Sequence, residues 1–398
     1  MQIDTCLNTK IPIEELKRCM LNFNDLDMFT SDTKIQELET AATKYASYMN
    51  NCMEAIRFSN SDSESILYWI SRVNEMMSRA WKVPYWGHEL GNTLCDVLRQ
   101  NGGLDILIDN CVIDFRPLQF QSAKLLQQCL VTANRGYVVE KGLHKVIDVA
   151  KNYTENIVRN LEAVRVGTGI LEHLFKHSET TCSDVIAMGG LGKSHKRFKS
   201  NKFKYMRTLT FADRVVNVCR SSDVESLQHC ASALANVAIF GGAENQEAMI
   251  QRKVPSWLFL LANNKDNIVR YYGCLAIAVL VANKEIEAAV QKSGTLELIE
   301  PFVQTHTPAE LSEITATHSH GQSSSWLKRL IPVLLSNREE ARNLAAFHFC
   351  MEAEIKRQQG KPELLHEVGC VESLRKVASG PNGIASKYAA QTLRVINE

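Results

Sequence analysis

Residues 122–149, SAKLLQQCLVTANRGYVVEKGLHKVIDV, contain one complete structural unit in miniature. From Ser122 to Val131 the apolar residues Ala123, Leu126, Cys129 and Leu130 recur on one helical face. Asn134 then stops that helix. Tyr137, Val138 and Val139 begin a short turn, and Gly142 breaks it before Val146, Ile147 and Val149. The same order runs from Ala231 through Leu234, Asn236, Val237 and Met249, and again from Cys274 through Val279, Asn283, Val290 and Gly294. Each unit is a long buried helix, a polar corner and a glycine break. No single unit can bury its apolar faces alone, so neighbours must stack.

Outward from that stretch, a glycine followed closely by an apolar residue returns at Gly103-Leu104, Gly142-Leu143, Gly190-Leu191, Gly294-Thr295-Leu296 and Gly369-Cys370-Val371. Arg252-Lys253-Val254-Pro255 occupies the same place about one repeat before Gly294. A period near 40 residues with helical patterning predicts an all-α solenoid of armadillo/HEAT type, a right-handed superhelix of about eight repeats. No Asn-Gly turn separates two alternating runs, so strands are not expected. Residues 1–80 are less regular and read as N-terminal cap or atypical repeats, with Ser61-Asp62-Ser63-Glu64 as a capping box. Residues 81–398 read as the repeats proper. Two interruptions are expected: a basic insert at 192–213 and a polar loop at 304–325. Lys193 to Arg207 holds seven Lys/Arg and no acid, with Phe198, Phe203 and Tyr205 interleaved.

Composition narrows the function. The chain is 45% hydrophobic and 22% charged, with a net charge of +1, so it carries no global bias toward nucleic acid or acidic lipid. Its longest apolar run, Cys274 to Ala282, is far short of the roughly 18 residues of a membrane span. The twelve cysteines are scattered, contain no C-x-x-C pair and mostly sit in apolar helical patterns, as expected in a reducing intracellular compartment. His173 and His177 share a face at i, i+4, but no H-E-x-x-H motif accompanies them, and no metal is expected. Neither a G-x-x-x-x-G-K-[ST] loop nor a G-x-S-x-G elbow is present, and nothing marks a nucleophile. Catalysis by this chain is not expected.

Polar residues on the long helices and their corners remain as binding candidates: Trp81, His88, Gln127, Gln128, Arg135, His173 and Lys176. By spacing alone most read as ordinary surface residues. His173 and Lys176 share a face at i, i+3, and Arg135 stands at a corner one repeat earlier. Three converging cations would repel one another unless a phosphate or carboxylate joined them.

A family resemblance enters at Trp81-Lys82-Val83-Pro84, at Gly87-His88-Glu89-Leu90-Gly91 and at Leu94-Cys95-Asp96. It is strongest at Gly169-Ile170-Leu171-Glu172-His173-Leu174-Phe175-Lys176-His177-Ser178-Glu179. It continues at Ala276-Ile277-Ala278-Val279-Leu280, Leu334-Leu335-Ser336-Asn337-Arg338 and Gln359-Gly360-Lys361. Over roughly residues 80–398 the chain resembles the armadillo domain of the SARM family, the sterile-α-and-TIR-motif NAD hydrolases of axon degeneration, in an invertebrate form. The resemblance implies an autoinhibitory regulatory domain in the cytoplasm of neurons and their axons, with mitochondrial association, in a protein linked to innate immunity. That domain restrains a C-terminal TIR domain that cleaves NAD. It binds nicotinamide mononucleotide, which activates, and NAD, which inhibits, in one groove between N-terminal and middle repeats. Neither ligand is a catalytic cofactor. Sterile-α-motif domains of the same protein assemble it as an octamer; neither they nor the TIR domain are matched within this chain. No nucleic-acid partner is implied.

By the same resemblance Trp81 stacks on the nicotinamide ring, Arg135, His173 and Lys176 take the phosphate, and Gln128 lies beside them. His88 stands where the vertebrate pattern has an arginine, and Gln127 replaces a glutamate. Gln322 to Trp326 replaces an Arg-Gly loop, which makes Gln322 and Trp326 outer contacts. The competing readings are a peptide-binding armadillo scaffold using Asn134, Asn236 and Asn283 as an amide ladder, and a module whose basic insert binds acidic membrane or RNA.

Overall fold

The computed structural model describes residues 10–30, 33–59, 62–155, 160–190, 218–219, 221–319, 322–360 and 362–397. Among them the secondary structure is entirely helical. The chain divides into two compact units, residues 1–152 and 153–398.

The second unit shows why this sequence stacks. The helices Leu161–Leu174, Val224–Phe240, Asn267–Ala282, Glu339–Gln358 and Ile384–Asn397 each pack against the next in that order. Val224–Phe240 is buried without interruption from Cys230 to Phe240, and Asn267–Ala282 from Tyr271 to Val281. A helix apolar on one stripe needs one neighbour, but a helix buried all round needs neighbours on every side. The shorter helices between these long ones, such as Val254–Ala262, cover the remaining faces.

Three of these helices, Leu161–Leu174, Val224–Phe240 and Asn267–Ala282, start on a side-chain cap at the same place in the repeat. Asn160, Asp223 and Asp266 accept from the backbone N–H three residues on, at 3.1, 3.0 and 2.9 Å. These carboxylate and amide oxygens satisfy donors that the helix itself leaves open. Asp223 is also held by Arg165, with Nε and Nη2 donating at 3.0 and 2.5 Å; that pairing leads the causes that hold its carboxyl well below the usual range.

The breaks anticipated at Gly103, Lys253, Gly294 and Gly369 are left-handed turns, the first of them at Gly102 rather than Gly103. Gly102, Gly294 and Gly369 have φ of +64°, +71° and +74°, and Lys253 takes the same conformation with φ +58°. The chain reverses there from one short helix into the next, and only glycine does so without a Cβ clash. At Gly142 the helix is interrupted by backbone at φ −157°, and glycine is favoured there by space, since a Cβ would lie 2.3 Å from Ile108 Cγ2.

In the first unit, Ile35–Arg57 packs on Ser63–Lys82 and on Gly87–Gln100. Ser63–Lys82 packs on Arg116–Cys129 as successive long helices do in the second unit. The expected boundary at residue 80 therefore falls inside a helix that belongs to the stack. Asp62 caps this helix through Glu64 and Ser65 N–H at 3.4 and 3.2 Å; Ser61, the first residue of the expected capping box, lies outside the described residues.

The expected polar loop at 304–325 is also corrected. Pro308–Ser319 is a helix that packs on Glu339–Gln358, with Leu311 and Ser312 fully buried. Thr307 and Glu310 form a reciprocal capping box, Thr307 N–H to Glu310 Oε2 at 3.1 Å and Glu310 N–H to Thr307 Oγ1 at 3.3 Å. The polar composition concealed a helix whose start signal, Thr-Pro-Ala-Glu, is local. The basic insert at 192–213 lies outside the described residues. No helix among the described residues is long and apolar enough to cross a membrane.

The left-handed turns predict opposite outcomes for two substitutions. Gly294 has open space around its missing Cβ, so Gly294→Ala meets only backbone strain and should cost about 1 kcal/mol. Lys253→Gly should be neutral or stabilising by up to about 1 kcal/mol, because it relieves that strain. Urea midpoints of the two variants against the parent chain measure both.

Candidate functional site

The candidates fall into two sets, one in each unit. In the first unit Trp81 ends the Ser63–Lys82 helix, half-buried. Its indole lies across Gly91, where a Cβ would come within 2.4 Å of the ring carbons Cδ2 and Cε3. Glycine at 91 is thus what lets the ring lie flat on the neighbouring helix. The His88 ring approaches Trp81 edge-on, with centroids 6.4 Å apart. Asn92 Nδ2 stands 3.1 Å from a ring nitrogen of His88.

On Arg116–Cys129, Gln127 is half-buried and Gln128 Nε2 donates to Asn74 Oδ1 at 2.9 Å. Asn74 is buried and donates in turn to the Gln121 carbonyl at 2.7 Å and its side-chain oxygen at 2.9 Å. Arg135 is buried rather than displayed. Its Nη1 donates to the Leu130 carbonyl at 3.3 Å and its Nη2 to Thr132 Oγ1 at 3.0 Å. A guanidinium there also complements the negative end of the preceding helix.

In the second unit the centre is a residue that sequence reading passed over. Glu172, buried on Leu161–Leu174, receives Lys176 Nζ at 3.0 Å and His229 Nδ1 at 2.7 Å on its two oxygens. Ser232 Oγ donates to it at 2.9 Å. Burial would push its carboxyl up, but Lys176, the His229 hydrogen bond and the charge on His173 outweigh burial and hold it well below the usual glutamate range. His173 and Lys176 therefore flank a common counter-ion. Lys176 is paired before any anion arrives, which corrects the picture of mutually repelling cations for this pair. Arg135 belongs to the other unit.

The late candidates join this cluster indirectly. Trp326 is 1% exposed, and its Nε1 donates to Asn236 Oδ1 at 2.9 Å; Asn236 Nδ2 donates to the Glu172 carbonyl at 3.3 Å. Trp326 is a core side chain that braces the cluster, not a displayed ring. The buried Gln322 gives its backbone N–H to both oxygens of Glu352 at 3.0 Å. Glu352 is buried more deeply than Glu172, and its carboxyl is pushed up, because burial outweighs the help from Lys356, the Gln322 N–H and Lys176.

Two signals for the missed residues were present in the sequence. Glu172 precedes Lys176 by one helical turn, the favourable order for an ion pair. His229, Ser232 and Asn236 form a polar stripe on a helix whose other residues from Cys230 onward are apolar. Two amides of the supposed peptide ladder are committed internally. Asn134 is fully buried, donates to the carbonyls of Cys95 and Cys129 at 3.3 and 2.9 Å, and accepts from Arg99 Nε at 2.9 Å. Asn236 is spent on Glu172 and Trp326.

Over 393 residues the chain is 52% identical to the NAD(+) hydrolase sarm1 of Drosophila melanogaster, covering 96% of this chain and 27% of that protein. The chain is a SARM homologue. The NAD(+) hydrolase SARM1 of Danio rerio is 33% identical over 342 residues, covering 85% of this chain and 44% of that protein. The homologous region thus spans less than half the length of these curated relatives. No protein-family model matches it. Among solved structures a designed armadillo repeat protein is similar, at 16% identity and a TM-score of 0.41, covering 74% of this chain and all of the other.

Glu172 and Glu352 predict contrasting behaviour in this SARM homologue. Glu172→Gln strands the Lys176 ammonium in a buried site and should cost about 3 kcal/mol. Glu352→Gln keeps an acceptor for the Gln322 N–H and removes a charge that burial disfavours, so it should cost far less at neutral pH. The pH dependence has a definite sign. The folded pKa of Glu172 lies below its unfolded value, so its contribution is complete above the ordinary glutamate pKa and is lost as pH falls through the folded value. Acid unfolding curves should be shallower for Glu172→Gln than for the parent chain.

Proposed function

We propose that this chain is the regulatory region of an NAD-cleaving protein and that it senses nicotinamide mononucleotide and NAD without catalysing their breakdown. The mononucleotide activates and NAD inhibits. What supports the reading is the Glu172 cluster within a chain whose relatives are named NAD(+) hydrolases. Lys176, His173 and His229 are gathered around one buried carboxylate, so their side chains are oriented before a ligand arrives. Pre-organised cations suit a phosphate, since little conformational entropy remains to be lost on binding.

In this proposal a phosphate is taken by Lys176 and His173 in the second unit, and Arg135 is the first unit's candidate anion-binding residue. The flat, cationic nicotinamide ring lies on Trp81, whose face attracts a cation. Gln128 and Gln127 supply amide contacts and His88 an outer one. Gln322 and Trp326 act from behind, through Glu352 and Asn236. The restrained partner is a TIR domain of the same protein, which works as an octamer through its sterile-α-motif domains, in the neuronal and axonal cytoplasm. A ligand shifts such a switch only by its difference in affinity for the two states, and a swing from 1:99 to 99:1 takes about 5.5 kcal/mol.

Isothermal titration of the folded chain with nicotinamide mononucleotide should give saturable binding that NAD competes away. Trp81→Ala and Lys176→Ala should each weaken it at least about tenfold, the effect of about 1.4 kcal/mol. Arg135→Ala should do the same, with circular dichroism confirming that its helices survive. Absence of binding by the folded parent chain would remove metabolite sensing and leave a peptide-binding scaffold in its place.

A further inference from the structure

Just before the Asp223 cap, Cys219 stands in a short turn closed by the Ser221 N–H on the Val218 carbonyl at 2.8 Å. Two turns into the following helix, Cys230 is fully buried. Their sulfurs are 3.2 Å apart. A disulfide holds its sulfurs about 2.05 Å apart, so closure takes about 1 Å of movement. We propose that Cys219 and Cys230 are a redox-active dithiol that a peroxide closes to a disulfide.

The two thiols differ in the way such a pair requires. Cys219 is only half-buried and meets the oxidant first. Cys230 is sealed in the core, where burial pushes its thiol well up, so it waits as the resolving partner. In the first step the Cys219 thiolate attacks one oxygen of hydrogen peroxide. The O–O bond breaks, the departing hydroxide takes a proton to become water, and Cys219 is left as a sulfenic acid. In the second step the Cys230 sulfur attacks that of Cys219. An S–S bond forms, the S–O bond breaks, and the hydroxyl leaves as water with the Cys230 thiol proton. Two thiols and one peroxide give one disulfide and two waters, with two electrons passing from sulfur to oxygen. A dithiol reductant reverses the change.

A second pair in the same molecule sharpens the assignment. Cys95 shares a hydrogen bond with Cys129, but both thiols are fully buried. Contact alone would oxidise both pairs, whereas contact with access oxidises only Cys219–Cys230. The location gives the bond a consequence. Cys230 is next to His229, which holds Glu172, so closure fastens the start of the cluster-bearing helix to the chain that leads into it.

The whole chain is treated with stepwise hydrogen peroxide, its remaining thiols are alkylated under denaturing conditions, and peptides are mapped by mass spectrometry. The expected result is one cross-linked peptide joining Cys219 to Cys230, lost after dithiothreitol, while Cys95 and Cys129 stay alkylated. Cys219→Ser, which leaves the buried core untouched, should abolish the cross-link and leave Cys230 as a thiol. Cys230→Ala should leave Cys219 trapped by dimedone as a sulfenic acid. The proposal is overturned if the parent chain keeps both thiols, if Cys219 runs on to a sulfinic acid without pairing, or if the cross-link joins other cysteines.

Discussion

Everything in the second unit follows from a helix that has no outside. Val224–Phe240 is buried on all its faces from Cys230 onward, so it cannot exist in water without another long helix on either flank. Leu161–Leu174 lies on one side and Asn267–Ala282 on the other. Burial of this extent stabilises only if every helix end is satisfied, which is why Asn160, Asp223 and Asp266 recur as caps at the same place in successive repeats. It also requires the short linking helices to reverse sharply, which sets the left-handed residues at Lys253 and Gly294.

A row of buried helices makes charge expensive, and the unit handles two buried carboxylates in opposite ways. Glu172 has an ammonium, an imidazole and a hydroxyl on its oxygens and remains ionised. Glu352 has one backbone N–H shared between its oxygens and a more distant Lys356, and burial prevails. The difference lies in partners as well as depth, since Glu352 is the deeper of the two. An ionised carboxylate held in this way positions what holds it. Lys176 comes from the turn that ends Leu161–Leu174 and His229 from Val224–Phe240, and the carboxylate they share sets the distance between them. Asn236 and Trp326 extend the same construction into the core, so the cluster is fixed from below as well as from its sides.

Much of the fold was legible in order along the chain. The apolar faces of residues 122–149, the equivalence of Lys253 with the turn glycines and the long helix of each repeat all rest on neighbours within one turn or one repeat. The failures were also local in origin. Residues 304–325 look like a loop by composition, and the Thr307–Glu310 box that starts a helix there was outweighed by its polar surroundings. The boundary at residue 80 followed irregular spacing, although Ser63–Lys82 packs like the long helices after it.

The candidate site divides along the same line. Trp81, Gln128, His173 and Lys176 could be named from residue type and resemblance, and Glu172 from its i, i+4 relation to Lys176. Which groups these residues meet could not. Glu172 finds His229 from 57 positions away and Ser232 from 60, and Asn236 finds Trp326 from 90. The sequence by itself determined the helices, their caps and the faces they must bury, because each depends on residues a few positions apart. Only the tertiary structure decided that Glu172 would also hold His229 and Ser232 and that Asn236 would meet Trp326. Those outcomes depend on stacking, which brings distant repeats together and leaves each buried polar group to pair with whatever the neighbouring helix presents.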